Sequence, residues 1–138
     1  MNYQYLAGIV DGEGTIGITS LKSKIRFSPF ISISNTNKHL LDTILEFLKK
    51  EGFNACISTK KSRKENHKTC YSLTIKDKYA IKLAKILKNE LLIKKEQATL
   101  LAEDYEICTP RNGKYNSELL VMKNNLISKI RSLNSRGI

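Results

Sequence analysis

The chain has 138 residues, enough to bury one hydrophobic core but few for two, and we expect a single domain over residues 1–138. It carries 24 Lys and Arg residues against 13 Asp and Glu residues, a formal net charge of +11 that favours a polyanionic partner, either nucleic acid or a membrane surface. No apolar run approaches the roughly 20 residues that span a bilayer, which argues against a transmembrane protein.

The cysteine count and the N-terminal residues indicate an intracellular protein. The first residues lack a charged segment followed by a long apolar run, so we expect no signal peptide. Three cysteines, odd in number and widely spaced, favour a reducing compartment over a disulfide framework or a zinc site. Lysine, isoleucine and asparagine are abundant, and their codons indicate an AT-rich genome. We therefore expect an organelle (mitochondrion or chloroplast) or a bacterial or phage cytoplasm.

Hydrophobic periodicity predicts an α+β protein with the order αββαββα and further C-terminal helices. Two hairpins, each with one apolar and one polar face, are expected to pack their apolar faces under the helices. Pro29 inside the second strand favours an edge position or a bulge. The predicted elements are, in chain order, a helix over residues 3–10, strands over 15–19 and 25–34, a helix from the N-cap Asn37 to Gly52, strands over 55–60 and 70–75, a helix capped by Asp77, and helices over 93–107 and 117–133.

The first predicted helix and the turn after it have an unusual composition. Gly8 and Gly12 are four residues apart, so both lie on one helical face, where a second backbone could approach closely. Each glycine costs about 1 kcal/mol of helix propensity relative to alanine, which a lone surface helix has no reason to carry. Asp11 and Glu13 oppose the helix dipole at this end, and binding of a hard divalent cation would explain their presence.

This stretch, residues 6–14, resembles the signature of the LAGLIDADG homing endonucleases. Gly12 and Glu13 stand where the signature has alanine and aspartate, substitutions that the family pattern also admits. Ile9 and Val10 match conservatively. The outright matches are Leu6, Ala7, Gly8, Asp11 and Gly14.

The resemblance implies a fold, an assembly and an activity. The fold is the αββαββα endonuclease fold with an antiparallel DNA-binding β-sheet, which agrees with the predicted element order. Because the chain has one signature, the expected enzyme is a homodimer with two-fold symmetry. It would make a Mg²⁺-dependent double-strand break with short 3′ overhangs at a long, near-palindromic DNA site. Mn²⁺ is expected to substitute, and Ca²⁺ to support binding without turnover. The expected interface residues are Leu6, Ala7, Gly8, Val10 and Gly12.

The resemblance also implies roles for individual site residues. Glu13 would hold the metal ion against the scissile phosphate, with the Gly12 carbonyl as a further ligand and Asp11 ranked second to Glu13. Lys94 matches the basic active-site residue at the start of a late helix, with Lys95 as the alternative.

Two more residues complete this expected site. Asn35 stands where relatives carry a glutamine that contacts the active-site water, although it could instead serve as a turn or cap residue. Lys38 would complete the basic pocket.

The polar faces of the two hairpins would form the DNA-binding surface. Hydroxyls interspersed with cations suit base edges and phosphates in a major groove, although any solvated sheet also has a polar face. The predicted contact residues are Thr15, Thr19, Arg26, Ser28, Ser32, Ser34, Ser58, Lys60, Lys61, Arg63, Lys64, Ser72 and Thr74.

Three functions are compatible with this sequence. The leading one is an intron- or intein-type homing endonuclease with double-stranded DNA as its partner and no membrane partner. The second is an RNA maturase on the same scaffold that helps its host intron RNA to fold. The third is a catalytically inactive DNA-binding regulator, which the retention of both Glu13 and Lys94 argues against.

Overall fold

In a computed structural model of the chain, the structure describes residues 1–21, 25–60 and 68–135. Within these ranges the chain forms five helices and four strands. In chain order they are α1 (Tyr3–Glu13), β1 (Gly14–Leu21), β2 (Arg26–Asn35), α2 (Lys38–Lys50), β3 (Cys56–Lys60), β4 (Cys70–Lys76), α3 (Asp77–Leu87), α4 (Lys95–Glu103) and α5 (Ser117–Ser135). The predicted α+β class and the order αββαββα with added C-terminal helices are confirmed.

The four strands form one antiparallel sheet in the order β1-β2-β4-β3. Each predicted hairpin is present, and the two join where β2 pairs with β4. Along that ladder Ile31 lies opposite Ile75 and Ile33 opposite Leu73, and all four side chains are fully buried. Because side chains alternate across a strand, these pairs place the apolar face of both hairpins in one continuous layer.

The helices cover that apolar face of the sheet. The Leu6 and Val10 side chains of α1, Leu41 of α2 and Leu83 of α3 are all fully buried in the same hydrophobic core as the strand residues. The opposite face carries exposed and half-buried polar side chains. Of the helices in the described ranges, none is long and apolar enough to cross a membrane.

Two of the three predicted helix caps are present. The Asn37 side chain accepts a hydrogen bond from the Leu40 amide at 3.2 Å, and Gly52 follows α2 with a φ of +85°, a conformation that favours glycine. The prediction that Asp77 caps α3 is wrong. Asp77 is already the first residue of α3, and its carboxylate accepts a hydrogen bond from the Ser28 hydroxyl instead.

Pro29 lies in an internal strand, but at a position where the strand is paired on one side only. It lies opposite Ile18 of β1, whereas pairing of β2 with β4 starts at the next residue, Phe30. The side of the strand toward β4 is therefore an edge at Pro29, which fits the missing amide proton of proline.

Candidate active site and nucleic-acid face

A cap and a glycine fix the two ends of α1. The Asn2 side chain accepts a hydrogen bond from the Tyr5 amide at 2.8 Å. At the other end a Cβ atom on Gly14 would lie 2.8 Å from the Val10 backbone, so glycine is required where the chain turns sharply into β1. The helix thus runs three residues further than predicted, and Glu13 is its exposed last residue.

Asp11 anchors the segment that precedes α4. One carboxylate oxygen accepts the Leu92 amide at 2.8 Å, and the other accepts the Ile93 and Lys94 amides at 3.0 and 2.9 Å. Hydrogen bonds to an ionised acceptor are stronger than neutral ones, so this bracket ties the two segments firmly together. The geometry corrects the metal-ligand role predicted for Asp11, because the carboxylate is engaged in holding the backbone.

The same bracket places Lys94 at the C-terminal end of α1. The Lys94 ammonium donates to the Asp11 backbone carbonyl at 2.6 Å. A cation at a helix C-terminus is favourable, because the last carbonyls carry partial negative charge. Lys95, the alternative candidate, is the exposed first residue of α4. Lys94 is therefore the lysine at the carboxylate end of the signature helix.

Asn35 connects the end of β2 to Glu13. Its amide nitrogen donates to the Glu13 carboxylate, and its carbonyl oxygen accepts the Asn37 backbone amide at 2.8 Å. Asn35 is thus both a turn residue and a direct partner of the catalytic candidate. It lies close enough to orient the Glu13 side chain.

Lys38 does not join this group. Its ammonium lies 3.1 Å from the Asp42 carboxylate, one turn further along α2, in an ion pair whose two side chains are about half exposed. In the structure the ammonium is directed along its own helix, and the predicted role of Lys38 in a basic pocket stays a prediction.

The donor set at the end of α1 fits a hard divalent cation. Glu13 offers an exposed carboxylate, and the Gly12 carbonyl belongs to the last turn of the helix, where carbonyls lack intrahelical partners. Mg²⁺ prefers such oxygen ligands and completes its shell with water and substrate phosphate. A cleft lined by Gly12, Thr15 and Lys94 opens beside these groups.

Fewer of the predicted interface residues of α1 are exposed than expected. Gly8 and Gly12 are exposed, and a Cβ atom on either would meet no atom within 4 Å, so this face is open to a second backbone. Leu6, Ala7 and Val10 are at most 1% exposed because they pack into the core of their own subunit. Their predicted place at a dimer interface is therefore corrected, since they offer no side-chain surface to a partner.

The strand register places the predicted DNA-contact residues of the four strands on one face of the sheet. Thr19 lies opposite Ser28, Ser32 opposite Thr74, and these pairs alternate with the buried ones. Three predicted contacts, Lys61, Arg63 and Lys64, lie outside the described residues. The predicted residues that share the face are Thr15, Thr19, Arg26, Ser28, Ser32, Ser34, Ser58, Lys60, Ser72 and Thr74.

The sequence analysis missed a buried lysine in α5. Lys123 is 0% exposed, and its ammonium lies 3.4 Å from the centre of the Tyr105 ring, with the Phe27 and Tyr115 rings at 5.7 and 5.5 Å. It donates to the Thr109 hydroxyl. Burial lowers the pKa of Lys123 to about 8. The side chain thus pins α5 to the connection after α4.

A second missed contact lies beside the cleft. The Asn134 side chain donates to the Ile16 backbone carbonyl at 2.9 Å and accepts from the Gln97 side chain at 3.2 Å. These bonds join the end of α5 to α4 and to β1. In the sequence, a glutamine on the apolar face of a predicted helix could have indicated a buried hydrogen bond at Gln97. Its partner could not be predicted, because Asn134 is 37 residues away.

The fold is similar to solved structures of homing endonucleases. The structure of I-CvuI in complex with the I-CreI target has a TM-score of 0.71 at 18% identity, over 95% of this chain and 80% of that one. I-LtrWI bound to target DNA has a TM-score of 0.61 at 18% identity, over 100% and 44% of the two chains. The meganuclease I-AabMI bound to uncleaved DNA has a TM-score of 0.53 at 21% identity, over 92% and 50%. This chain thus spans about half the length of the last two.

The sequence comparison identifies the family. The profile of the LAGLIDADG-like domain matches residues 2–104, which include the signature helix, the whole sheet and Lys94. No curated protein sequence matches the chain. The chain therefore belongs to the LAGLIDADG-like domain family, and residues 1–138 contain one copy of the signature.

Proposed function

We propose that this protein is a divalent-metal-dependent homing endonuclease that cuts both strands of a specific DNA site. The observation that carries the proposal is the group at the end of α1. There an exposed Glu13 carboxylate held by Asn35 lies at the helix end that also bears Lys94, next to a sheet face rich in hydroxyls and cations. Family members of known structure were solved with bound DNA.

Each residue of the site has a task in phosphodiester hydrolysis. A Mg²⁺ ion held by Glu13 and the Gly12 carbonyl would activate water and stabilise charge on the attacking and leaving oxygens. Asn35 keeps the carboxylate in one orientation. Lys94 supplies positive charge toward a phosphate in the adjoining cleft, and Asp11 fixes the backbone from which Lys94 extends.

A homodimer supplies the second active site. One signature provides one Glu13, which is enough for one strand, and two-fold symmetry would place a second Glu13 opposite the other strand. The exposed Gly8 and Gly12 backbone is the surface at which two copies of α1 would meet. Two half-site readers related by a dyad call for a near-palindromic site of about two helical turns.

The test uses the DNA that flanks the open reading frame, joined as the uninterrupted allele. Purified protein is incubated with this DNA in Mg²⁺, Mn²⁺ or Ca²⁺, and in parallel with the host intron RNA. We expect a double-strand cut near the junction in Mg²⁺ and Mn²⁺, and binding without cutting in Ca²⁺. Tighter binding to the RNA with intact DNA would instead favour a maturase. Equal DNA binding with and without metal, and no cut, would favour a regulator.

A further inference from the structure

A shallow cleft on the polar sheet face contains a carboxylate among positively charged side chains. It runs across β1, β2 and β4 and is lined by the cations Arg26 and Lys76 and by several hydroxyls. Asp77 is the one carboxylate among the described residues that line it. On a surface proposed to face DNA phosphates, a negative charge costs affinity, so its presence needs a reason.

The Asp77 carboxylate lies in the first turn of α3, where a negative charge is favourable, but its hydrogen bond is made to the sheet. Asp77 has a φ of +57°, a left-handed conformation that is uncommon outside glycine. In the described part of the chain, the hydrogen bond of its side chain is to β2 and not to the backbone of α3. The turn instead brings the carboxylate over the polar face, where one oxygen accepts the Ser28 hydroxyl at 2.7 Å. In the described part of the chain neither cation of the cleft forms an ion pair with it.

In the major groove of DNA, the exocyclic amines of the bases are the groups that can donate a hydrogen bond to a carboxylate. Aspartate accepts a hydrogen bond from the N4 amine of cytosine, whereas guanine and thymine offer acceptors at the corresponding edge. Adenine offers its N6 amine, but its neighbouring N7 acceptor repels a carboxylate and suits the amide of asparagine instead. The chemistry therefore favours cytosine.

We propose that Asp77 determines specificity by reading cytosine at one base pair of each half-site, with Ser28 holding its carboxylate in place. The inference rests on the proposed function, since it requires that the polar sheet face enters the major groove. The negative charge thus lowers general DNA affinity and raises discrimination at one position.

The test measures Asp77→Asn beside the wild type. Asparagine also tolerates the left-handed conformation, so the variant should fold. Both proteins are titrated in Ca²⁺ against the uninterrupted-allele site and all its single base-pair variants. We expect the cytosine preference at one symmetry-related pair to fall on the order of tenfold or more, with a shift toward adenine. Affinity for unrelated DNA should stay equal or increase, because a negative charge is removed.

Asp104→Asn is the matched control, since it makes the same change at the end of α4. It should bind every variant as the wild type does. An Asp77→Asn protein whose preferences are unchanged, or whose affinity falls equally for all variants, would overturn the inference and leave the proposed function standing. Failure of the wild type to bind the allele would overturn both.

Discussion

Lys94 and Lys95 are adjacent, and the structure distinguishes them by position. The Lys94 ammonium donates to the Asp11 carbonyl in the last turn of α1, whereas Lys95 is exposed on α4. If Lys94 stabilises charge on the phosphate, Lys94→Met should lower the single-turnover cleavage rate by about 10²–10³-fold. Affinity in Ca²⁺ should change little. Lys95→Met is the control and should cut at the wild-type rate, and equal losses in the two variants would contradict the assignment.

Asp11 acts through the backbone of residues 92–94. In Asp11→Asn the side chain has one acceptor oxygen in place of two, so at least one of the three hydrogen bonds is lost and the others lose the charge that strengthens them. We expect the free energy of unfolding to fall by about 1–3 kcal/mol, as measured by urea denaturation. Asp42→Asn removes a carboxylate from an exposed pair within α2 and should cost at most about 0.5 kcal/mol. Similar losses of unfolding free energy in the two variants would contradict the proposal that Asp11 holds the backbone of residues 92–94.

Which residues belong to the site was easier to predict from the sequence than the contacts that each side chain makes. Glu13 and Lys94 could be named because they stand at fixed places in a recognisable signature. The task of Asp11 could not, because its hydrogen-bond partners are 81–83 residues away and no local pattern connects them. The contact of Lys38 with Asp42 was readable from the sequence, since an acid one helical turn away is a usual partner for a lysine.

In the proposed homodimer, α1 is the element through which the two subunits meet. Beyond its own stretch of helix, a Cβ atom on Gly8 would meet no atom within 4 Å, so Gly8→Leu should not disturb the fold of the protomer. A leucine there would hold two copies of the helix apart. We expect the variant to sediment as a monomer on DNA and to lose double-strand cleavage.

Asn124→Leu provides the control for added apolar surface, since it lies exposed on α5. It should dimerise and cut as the wild type does. A Gly8→Leu protein that remains dimeric would show that the subunits do not meet at the glycine face.

Lys123 joins the helix α5 to the connection after α4, and its burial disfavours the charged form of its amine. Below about pH 8 the Lys123 amine is protonated in both states, and its burial costs stability. Between that pKa and its ordinary value of 10.5, the unfolded chain binds a proton that the folded protein has released, so stability rises with pH. Above pH 9 the Cys108 thiol acts in the opposite direction, because burial raises its pKa.

Lys123→Met tests this account of α5. Methionine has a similar length and packs well against aromatic rings. At pH 7 we expect the variant to be as stable as the wild type, or more stable by up to about 2 kcal/mol. Thermal unfolding between pH 7 and 9 should show that this difference shrinks as pH rises. A stability difference between the variant and the wild type that stays constant over this pH range would contradict the interpretation that burial disfavours the Lys123 charge.

Elements were predictable where the chain repeats a simple period. Alternation along β2 and β4 was enough to assign the polar face, and the observed register bears this out. Lys123 also had a signal, since it lies on the stripe formed by Leu126, Ile127 and Ile130. Asp77 was predicted only as a helix cap, because no local pattern indicates its left-handed φ or its contact with Ser28, 49 residues away.

At the scale of the whole molecule, the net charge of +11 should govern affinity. If a dimer neutralises six to eight phosphates, the logarithm of the association constant should fall against the logarithm of salt concentration with a slope of roughly −5 to −7. Lys60→Gln removes one cation per subunit from the sheet face and should reduce the slope by about 2. Lys129→Gln on α5 should leave it unchanged. A wild-type slope near zero would contradict binding through this surface.

The most direct measurement of the central claim separates DNA binding from cutting at Glu13. The uninterrupted allele is incubated with wild type and with Glu13→Gln, in Mg²⁺ for cleavage and in Ca²⁺ for binding. Glutamine can still accept from Asn35 but offers no charge to a metal ion. The account predicts that Glu13→Gln binds the site as tightly as the wild type and makes no double-strand cut. Cleavage by Glu13→Gln at the wild-type rate would contradict the assignment of the metal-dependent chemistry to the end of the signature helix.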